Sequence, residues 1–258
     1  MDFALASPTQ TQTAAAPPGH PDPWAPPSLR LVCLDIDDTL VDFSASGRRA
    51  LSVLLGRSDL WSLWETITDR YVAKVVAGEL DYGSMHRLRS ECFLAELGID
   101  ADAADFERRR LEILHSSWRL FDDVVACLEW LRAAGLYVAA VTNASGRHQR
   151  AKLATLGLAP FFDHVAIAGE LGVAKPDPEM FHSVCLALGC DPAEAVHVGD
   201  KLDTDAVGAV RAGLAGVWLN RPGGETDVPT GVHVIQDLAA LPELLVCEFA
   251  RVGVPIPR

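Results

Sequence analysis

The sequence predicts an α/β fold, a doubly wound, Rossmann-like parallel-sheet core that carries a small all-helical domain. Three observations carry that reading. Short runs rich in Val, Ile and Leu recur along the chain, most of them are followed by a segment of helical period, and one long stretch between the first two runs is helical throughout. Strands that are apolar on both faces and alternate with helices belong in a parallel sheet covered on both sides.

In chain order, the opening MDFALASPTQTQTAAAPPGHPDPWAPPSLR is rich in Pro and Ala and has no period, so a disordered leader is expected over 1–28. It lacks the charged and then apolar regions of a signal peptide. LRLVCLD is the first strand. From about Ser44 to Arg119 no strand pattern appears, and SGRRALSVLLG, DLWSLWETITDRYVAKVVAG, YGSMHRLRSECFLAELG and ADFERRRLEILHSSW all read as helices. The alternation then resumes. Helix DDVVACLEWLRAAG, with Gly135 as its C-cap, leads into strand LYVAAVTN, and helix GRHQRAKLATLG leads into strand HVAIAG. Helix PDPEMFHSVCLALG, with Pro178 in its first turn, precedes strand AVHVGD; helix DTDAVGAVRAG precedes strands AGVWLN and VHVIQD. The expected division is therefore a core of 29–43 and 120–258 and a helical domain of 44–119. Hinges are expected at Val41 to Ser44 and Leu120 to Asp122.

Composition excludes several classes of function. A net charge of -13, from 22 basic against 35 acidic residues, leaves no basic surface for nucleic acid or an anionic membrane. No apolar run reaches the length of a membrane span. Six cysteines, Cys33, Cys92, Cys127, Cys185, Cys190 and Cys247, form no CxxC pair and read as reduced residues of a cytoplasmic protein. The partner left open is a small molecule.

In a doubly wound sheet, ligands sit beyond the carboxyl ends of the strands. The residues there are Asp35 and Asp37, Thr142 and Asn143, Lys175 in GVAKPDP, and Asp200 with Asp205 in VGDKLDTD. Carboxylates with one ammonium and one hydroxyl suit phosphoryl transfer through a covalent carboxyl phosphate. One acid attacks phosphorus, and a second protonates the leaving oxygen and then takes a proton from water. Two negative reactants call for a bridging divalent cation, and Mg²⁺ fits an oxygen-rich site. Phosphate-monoester hydrolysis needs up to ~10²¹-fold acceleration, and a general acid supplies only about 10²- to 10⁴-fold. Charge stabilisation must carry much of the rest.

The segments DIDDT, VTNAS, KPDP and GDKLDTD resemble, in order, the four motifs of the haloacid dehalogenase-like (HAD) hydrolase superfamily. The helical insertion after the first is similar to the cap of its phosphatase-rich branch, and the likeness runs from Leu31 to about Pro222. It implies that Asp35 is the nucleophile, Asp37 the general acid/base, and Thr142 and Lys175 the phosphate-binding pair, with Asn143 beside them. It also implies that Asp35, the main-chain carbonyl of Asp37 and Asp200 hold Mg²⁺, with Asp205 as a weaker ligand. Asp38 stands where glycine is frequent. The expectation is a cytoplasmic phosphatase, monomer or homodimer, acting on a small phosphorylated metabolite.

Bland readings stand beside these. A lone DxD is an ordinary acidic turn, and four ordered motifs at strand ends are what give it weight. Asp203 is expected to cap the DTDAVGAV helix, and Asp38 and Asp42 are expected in turn or capping roles. His197 reads as a core histidine, and His148, His164 and His182 receive no chemistry. In the insertion, Trp61, Trp64, Tyr71, Lys74, His86, Arg87 and Arg89 are cavity candidates, with the aromatic residues read first as core and the basic ones as surface. Four other activities remain open. A 2-haloacid dehalogenase would not need Asp37. A phosphonate-cleaving enzyme would need a lysine in the insertion, where only Lys74 lies, and a phosphomutase would retain its phosphate. A non-enzymatic phosphoacceptor would show no turnover.

Overall fold

The computed structural model describes residues 28–224 and 227–249. The expected leader lies outside them up to residue 27. Among the described residues six strands form one parallel sheet in the order β3-β2-β1-β4-β5-β6. They are β1 (Leu31–Leu34), β2 (Tyr137–Thr142), β3 (His164–Ile167), β4 (Ala195–Gly199), β5 (Ala215–Leu219) and β6 (Val232–Ile235), one for each apolar run of the sequence.

The run LVCL is buried on both faces because alternate residues enter different cores. Val32 and Leu34 pack with Leu128 and Leu131 of α5 (Val124–Ala133) and with Leu241 and Leu245 of α10 (Leu241–Glu248). Leu31 and Cys33 pack with Met180, Phe181 and Val184 of α8 (Pro178–Leu188) on the other face. Helices α6 (Gly146–Thr155), α7 (Ala168–Leu171) and α9 (Gly208–Arg211) complete the crossovers. Four of the six cysteines, Cys33, Cys127, Cys185 and Cys190, are buried, and all six are free thiols. Among the described residues no helix is long and apolar enough to cross a membrane.

The insertion comprises α1 (Phe43–Leu55), α2 (Trp61–Val76), α3 (Tyr82–Glu96) and α4 (Ala103–Ser117). It has an apolar centre of its own, where Trp64 meets Phe93 edge to face at 4.9 Å with Ile67, Leu51 and Phe106 around them. Asp42, Asp81 and Asp102 cap α1, α3 and α4 through their carboxylates. The two crossing segments are tied together. Val41 bridges Leu120 in antiparallel fashion, and Arg119 pairs with Asp42 at 2.9 Å.

Two local expectations need correction. Helix α5 ends at Ala133, and Gly135, with φ 78°, lies one residue beyond the C-cap Ala134. The segment DTDAVGAVRAG is not one α-helix capped by Asp203. It opens as a π-helical turn over Leu202–Val207, and the carboxylate that closes its start is Asp205, which accepts from Lys201 N at 2.9 Å. The wider turn swings Asp205 back toward the sheet edge, a device that recurs at functional sites.

The fold brings the site residues to one line. Leu34 is level with Ala140 and Val198, so Asp35, Thr142 and Asp200 emerge within one residue of a common edge. From β1 the strand order runs outward through β2 to β3, and the chain then returns to β4 on the other side of β1, so the order reverses at β1 and opens the crevice of a doubly wound sheet there. The π-turn must lie close on β5, and a Cβ on Gly216 would stand 2.2 Å from the Ala206 carbonyl oxygen. Gly216→Ala is therefore expected to destabilise the protein by about 1–3 kcal/mol, read as a lower denaturant midpoint with an unchanged slope.

Candidate active site

The site is built around Lys175, which is 2% exposed. Its Nζ donates to Asp35 Oδ1 at 2.6 Å and to the Val141 carbonyl at 2.7 Å, and it pairs with Asp205 Oδ1 at 2.8 Å. Asn143 aims it. Its side-chain Nδ2 donates to Lys175 O at 2.7 Å, and its Oδ1 accepts from Lys175 N at 2.8 Å. Both ends of that amide are thus occupied by main chain, so Asn143 shapes the lysine loop.

Asp205 is 2% exposed, and besides Lys175 it meets His197 Nε2 at 3.4 Å. Gly199 makes room, since a Cβ there would lie 2.3 Å from Asp205 Oδ2. Asp200 follows β4. Its main-chain oxygen accepts from Trp218 Nε1 at 2.9 Å, and its N donates to Thr39 Oγ1 at 3.1 Å. Asp38 adopts φ 57°, the conformation that favours glycine, and accepts from Ser44 N and Oγ at 2.8 and 2.6 Å. Both it and Asp42 therefore serve the turn into α1.

These contacts separate the three acids electrostatically. Burial drives the Asp35 carboxyl up to about 7 against the pull of Lys175, and the neighbouring Asp205 adds to the rise. Burial and then the charges of Asp35 and Asp205 drive Asp200 to about 8. Asp205 is also opposed by burial, but Lys175 and His197 hold it well below the ordinary carboxylate range. One oxygen from each of the three lies within 4.8 Å of the others. Three carboxylates against one ammonium form a hard, oxygen-rich, electron-surplus donor set, and a divalent cation such as Mg²⁺ fits it.

Asp37 faces the same cavity, two residues beyond Asp35. Its Oδ2 accepts from Gln149 Nε2 at 2.8 Å, and its Oδ1 pairs with Lys152 Nζ. Gln149 also donates to Thr142 Oγ1 at 3.1 Å. Sequence reasoning missed Thr39, Gln149 and Lys152. Gln149 and Lys152 stand three apart on the polar side of GRHQRAKLATLG, directly after a strand end, and that spacing was the available signal.

Residues of the insertion and of the strand ends together line a half-open cavity of about 510 Å³. Trp61, Trp64, His86 and Arg89 line it. Tyr71, Lys74 and Arg87 do not. The Lys74 ammonium lies 5.3 Å over the Tyr71 ring, and Arg87 pairs with Glu91. Arg89 is not a surface residue. With Arg110 it binds the buried Glu107 at 2.8 and 2.7 Å, and both guanidiniums lie over Trp64, at 4.3 and 4.7 Å. His86, His115 and His148 meet edge to face above the core residues.

Residues 29–213 match the family of haloacid dehalogenase-like hydrolases. A glyceraldehyde 3-phosphate phosphatase of Methanopyrus kandleri is 32% identical over 219 residues, 78% of this chain and 91% of its own. The N-acylneuraminate-9-phosphatase of Rattus norvegicus is 28% identical over 242 residues, 84% of this chain and 94% of its own. Among solved structures, the HAD-hydrolase YfnB from Bacillus subtilis, bound to magnesium, is similar with a TM-score of 0.76 at 26% identity, over 85% of this chain and 99% of that one.

A pH dependence follows from the raised carboxyls. Asp35 and Asp200 titrate near 7 and 8 when folded and near ~4 when unfolded, so the folded chain binds more protons across that window. In EDTA their contribution to stability therefore falls as pH rises from about 4 to 8. A bound cation offsets the fall, so Mg²⁺ is expected to raise the melting temperature more at pH 8 than at pH 5. Differential scanning fluorimetry at the two pH values, with Mg²⁺ and with EDTA, checks this.

Proposed function

The chain belongs to the haloacid dehalogenase-like hydrolase family, and from that premise we propose that it is a phosphatase that hydrolyses the phosphomonoester of a small metabolite through an aspartyl phosphate on Asp35. The observation that carries the proposal is the pairing of two acids on one turn. Asp35 is buried against Lys175, and Asp37 is held at the rim of the same cavity by Gln149 and Lys152.

Asp35 attacks phosphorus as the ester P–O bond breaks. Asp37 gives a proton to the leaving alkoxide, which departs as an alcohol. Water then attacks the phosphorus of the acyl phosphate, Asp37 takes its proton, and the bond to Asp35 breaks to release orthophosphate. The Lys175 ammonium beside Asp35 balances charge at the phosphoryl oxygens, and the Thr142 hydroxyl at the end of β2 is the second phosphate contact. Asp35, Asp200, Asp205 and the Asp37 main-chain carbonyl would hold Mg²⁺, which supplies charge neutralisation that lets an anionic nucleophile approach a phosphate dianion. One charge pair at 4 Å is worth roughly 4 kcal/mol at a protein-like dielectric, which sets the scale of each such contact.

The helical domain of 44–119 acts as a cap that excludes bulk water and selects the alcohol part of the substrate. Its paired crossing segments at Val41 and Leu120 are the proposed hinge. The named activities of the relatives, on glyceraldehyde 3-phosphate and on an N-acylneuraminate 9-phosphate, support a small phosphorylated metabolite, of carbohydrate type, as substrate. Asp37 favours phosphatase over carbon-halogen hydrolysis, where the leaving halide needs no proton. A cytoplasmic setting is consistent with such a substrate.

Orthophosphate release from a panel of metabolite phosphates in Mg²⁺ tests the reading. Asp35→Asn is expected to abolish release, and Asp37→Asn to lower it by about 10²- to 10⁴-fold. Full activity of the Asp35→Asn protein contradicts the nucleophile assignment.

A further inference from the structure

Lys152 lies on α6, outside the four motifs, and its side chain is 3% exposed. It would be expected on a solvated helix face. Its ammonium instead pairs with Asp37 and stands 4.7 Å over the Phe43 ring and 5.5 Å over the Trp118 ring. Phe43 opens α1 and Trp118 directly follows α4, so these rings belong to the segments that enter and leave the helical domain. Gln149, fully buried one turn earlier, holds the other Asp37 oxygen and ties it to Thr142. An aspartate on a turn can rotate about two side-chain bonds. Here both of its oxygens are fixed by donors on one face of one helix.

Burying an ammonium is costly unless its partner stays in place, so this pair is a rigid arrangement rather than a loose surface contact. Proton transfer depends steeply on where the acid sits. We infer that Lys152 is a positioning residue that orients the Asp37 carboxyl toward the reacting oxygens. The inference rests on the role proposed for Asp37. Lys152 itself neither gains nor loses a proton in the reaction, which passes only between Asp37 and the leaving oxygen or the attacking water.

The test compares two aryl phosphates of similar shape, phenyl phosphate and p-nitrophenyl phosphate. Nitrophenolate leaves with little need of a proton, whereas the more basic phenolate needs one. Values of kcat/KM, which report the first bond cleavage, are measured in Mg²⁺ for the wild type, Asp37→Asn, Lys152→Met and Lys152→Gln. Asp37→Asn is expected to lose far more on phenyl phosphate. Lys152→Met is expected to follow it, with a loss about 10-fold greater on phenyl phosphate than on p-nitrophenyl phosphate. Lys152→Gln keeps a donor without the charge and carries the same comparison if the methionine variant does not fold.

A merely structural lysine would lower both substrates alike. Equal losses, or none, in the Lys152 variants beside a selective Asp37→Asn overturn the inference and leave the Asp37 assignment standing. An unselective Asp37→Asn overturns that assignment and the inference with it.

Discussion

A single buried ammonium makes the rest of this sheet edge possible. Lys175 lies between Asp35 and Asp205 with the Val141 carbonyl as its third partner. Removing one member of a buried ion pair typically costs 3–5 kcal/mol, because a charge is left without water or partner. Three acids within reach of one another would be intolerable here without that lysine. Its placement in turn depends on Asn143, which binds both main-chain groups of Lys175 from the end of the neighbouring strand. Gly199 and the π-turn bring Asp205 close enough to share the ammonium.

Much of this was legible in the sequence, because the signals were local. Each Val/Ile/Leu run became a strand, since a strand covered on both faces needs apolar residues at consecutive positions. The four helices of the insertion followed from apolar spacing, and in three of them the structure adds an aspartate cap. The strand-end polar residues could be listed because topology alone sends them to one edge. What escaped was set by distances that no local pattern encodes. Asp37 and Lys152 are 115 residues apart in the chain, and Arg89 meets Glu107 across two helices. A lysine or arginine at helical spacing reads as surface, and only tertiary contact with an acid reverses that. The π-turn escaped for a related reason: its register answers to the pull of Lys175 and His197 on Asp205, while the residues of DTDAV fit an α-helix equally well.

The two acids of the first motif sit in different surroundings, as the roles proposed for them require. Asp35 is nine-tenths enclosed and shares its lysine with another carboxylate, which suits a nucleophile kept from bulk water. Asp37 is more open to the cavity and has a lysine of its own, enclosed by aromatic rings from the crossing segments. One acid is thus braced by the core loops and the other by the helix that meets the insertion.

The central claim is that phosphorus is captured by the carboxylate that Lys175 holds. Acid quenching during turnover, followed by borohydride reduction and peptide mass spectrometry, reads it directly, because an acyl phosphate is reduced to the alcohol. The account predicts homoserine at position 35 and at no other acidic residue. Steady phosphate release with an intact Asp35, or reduction at a different carboxylate, would contradict it.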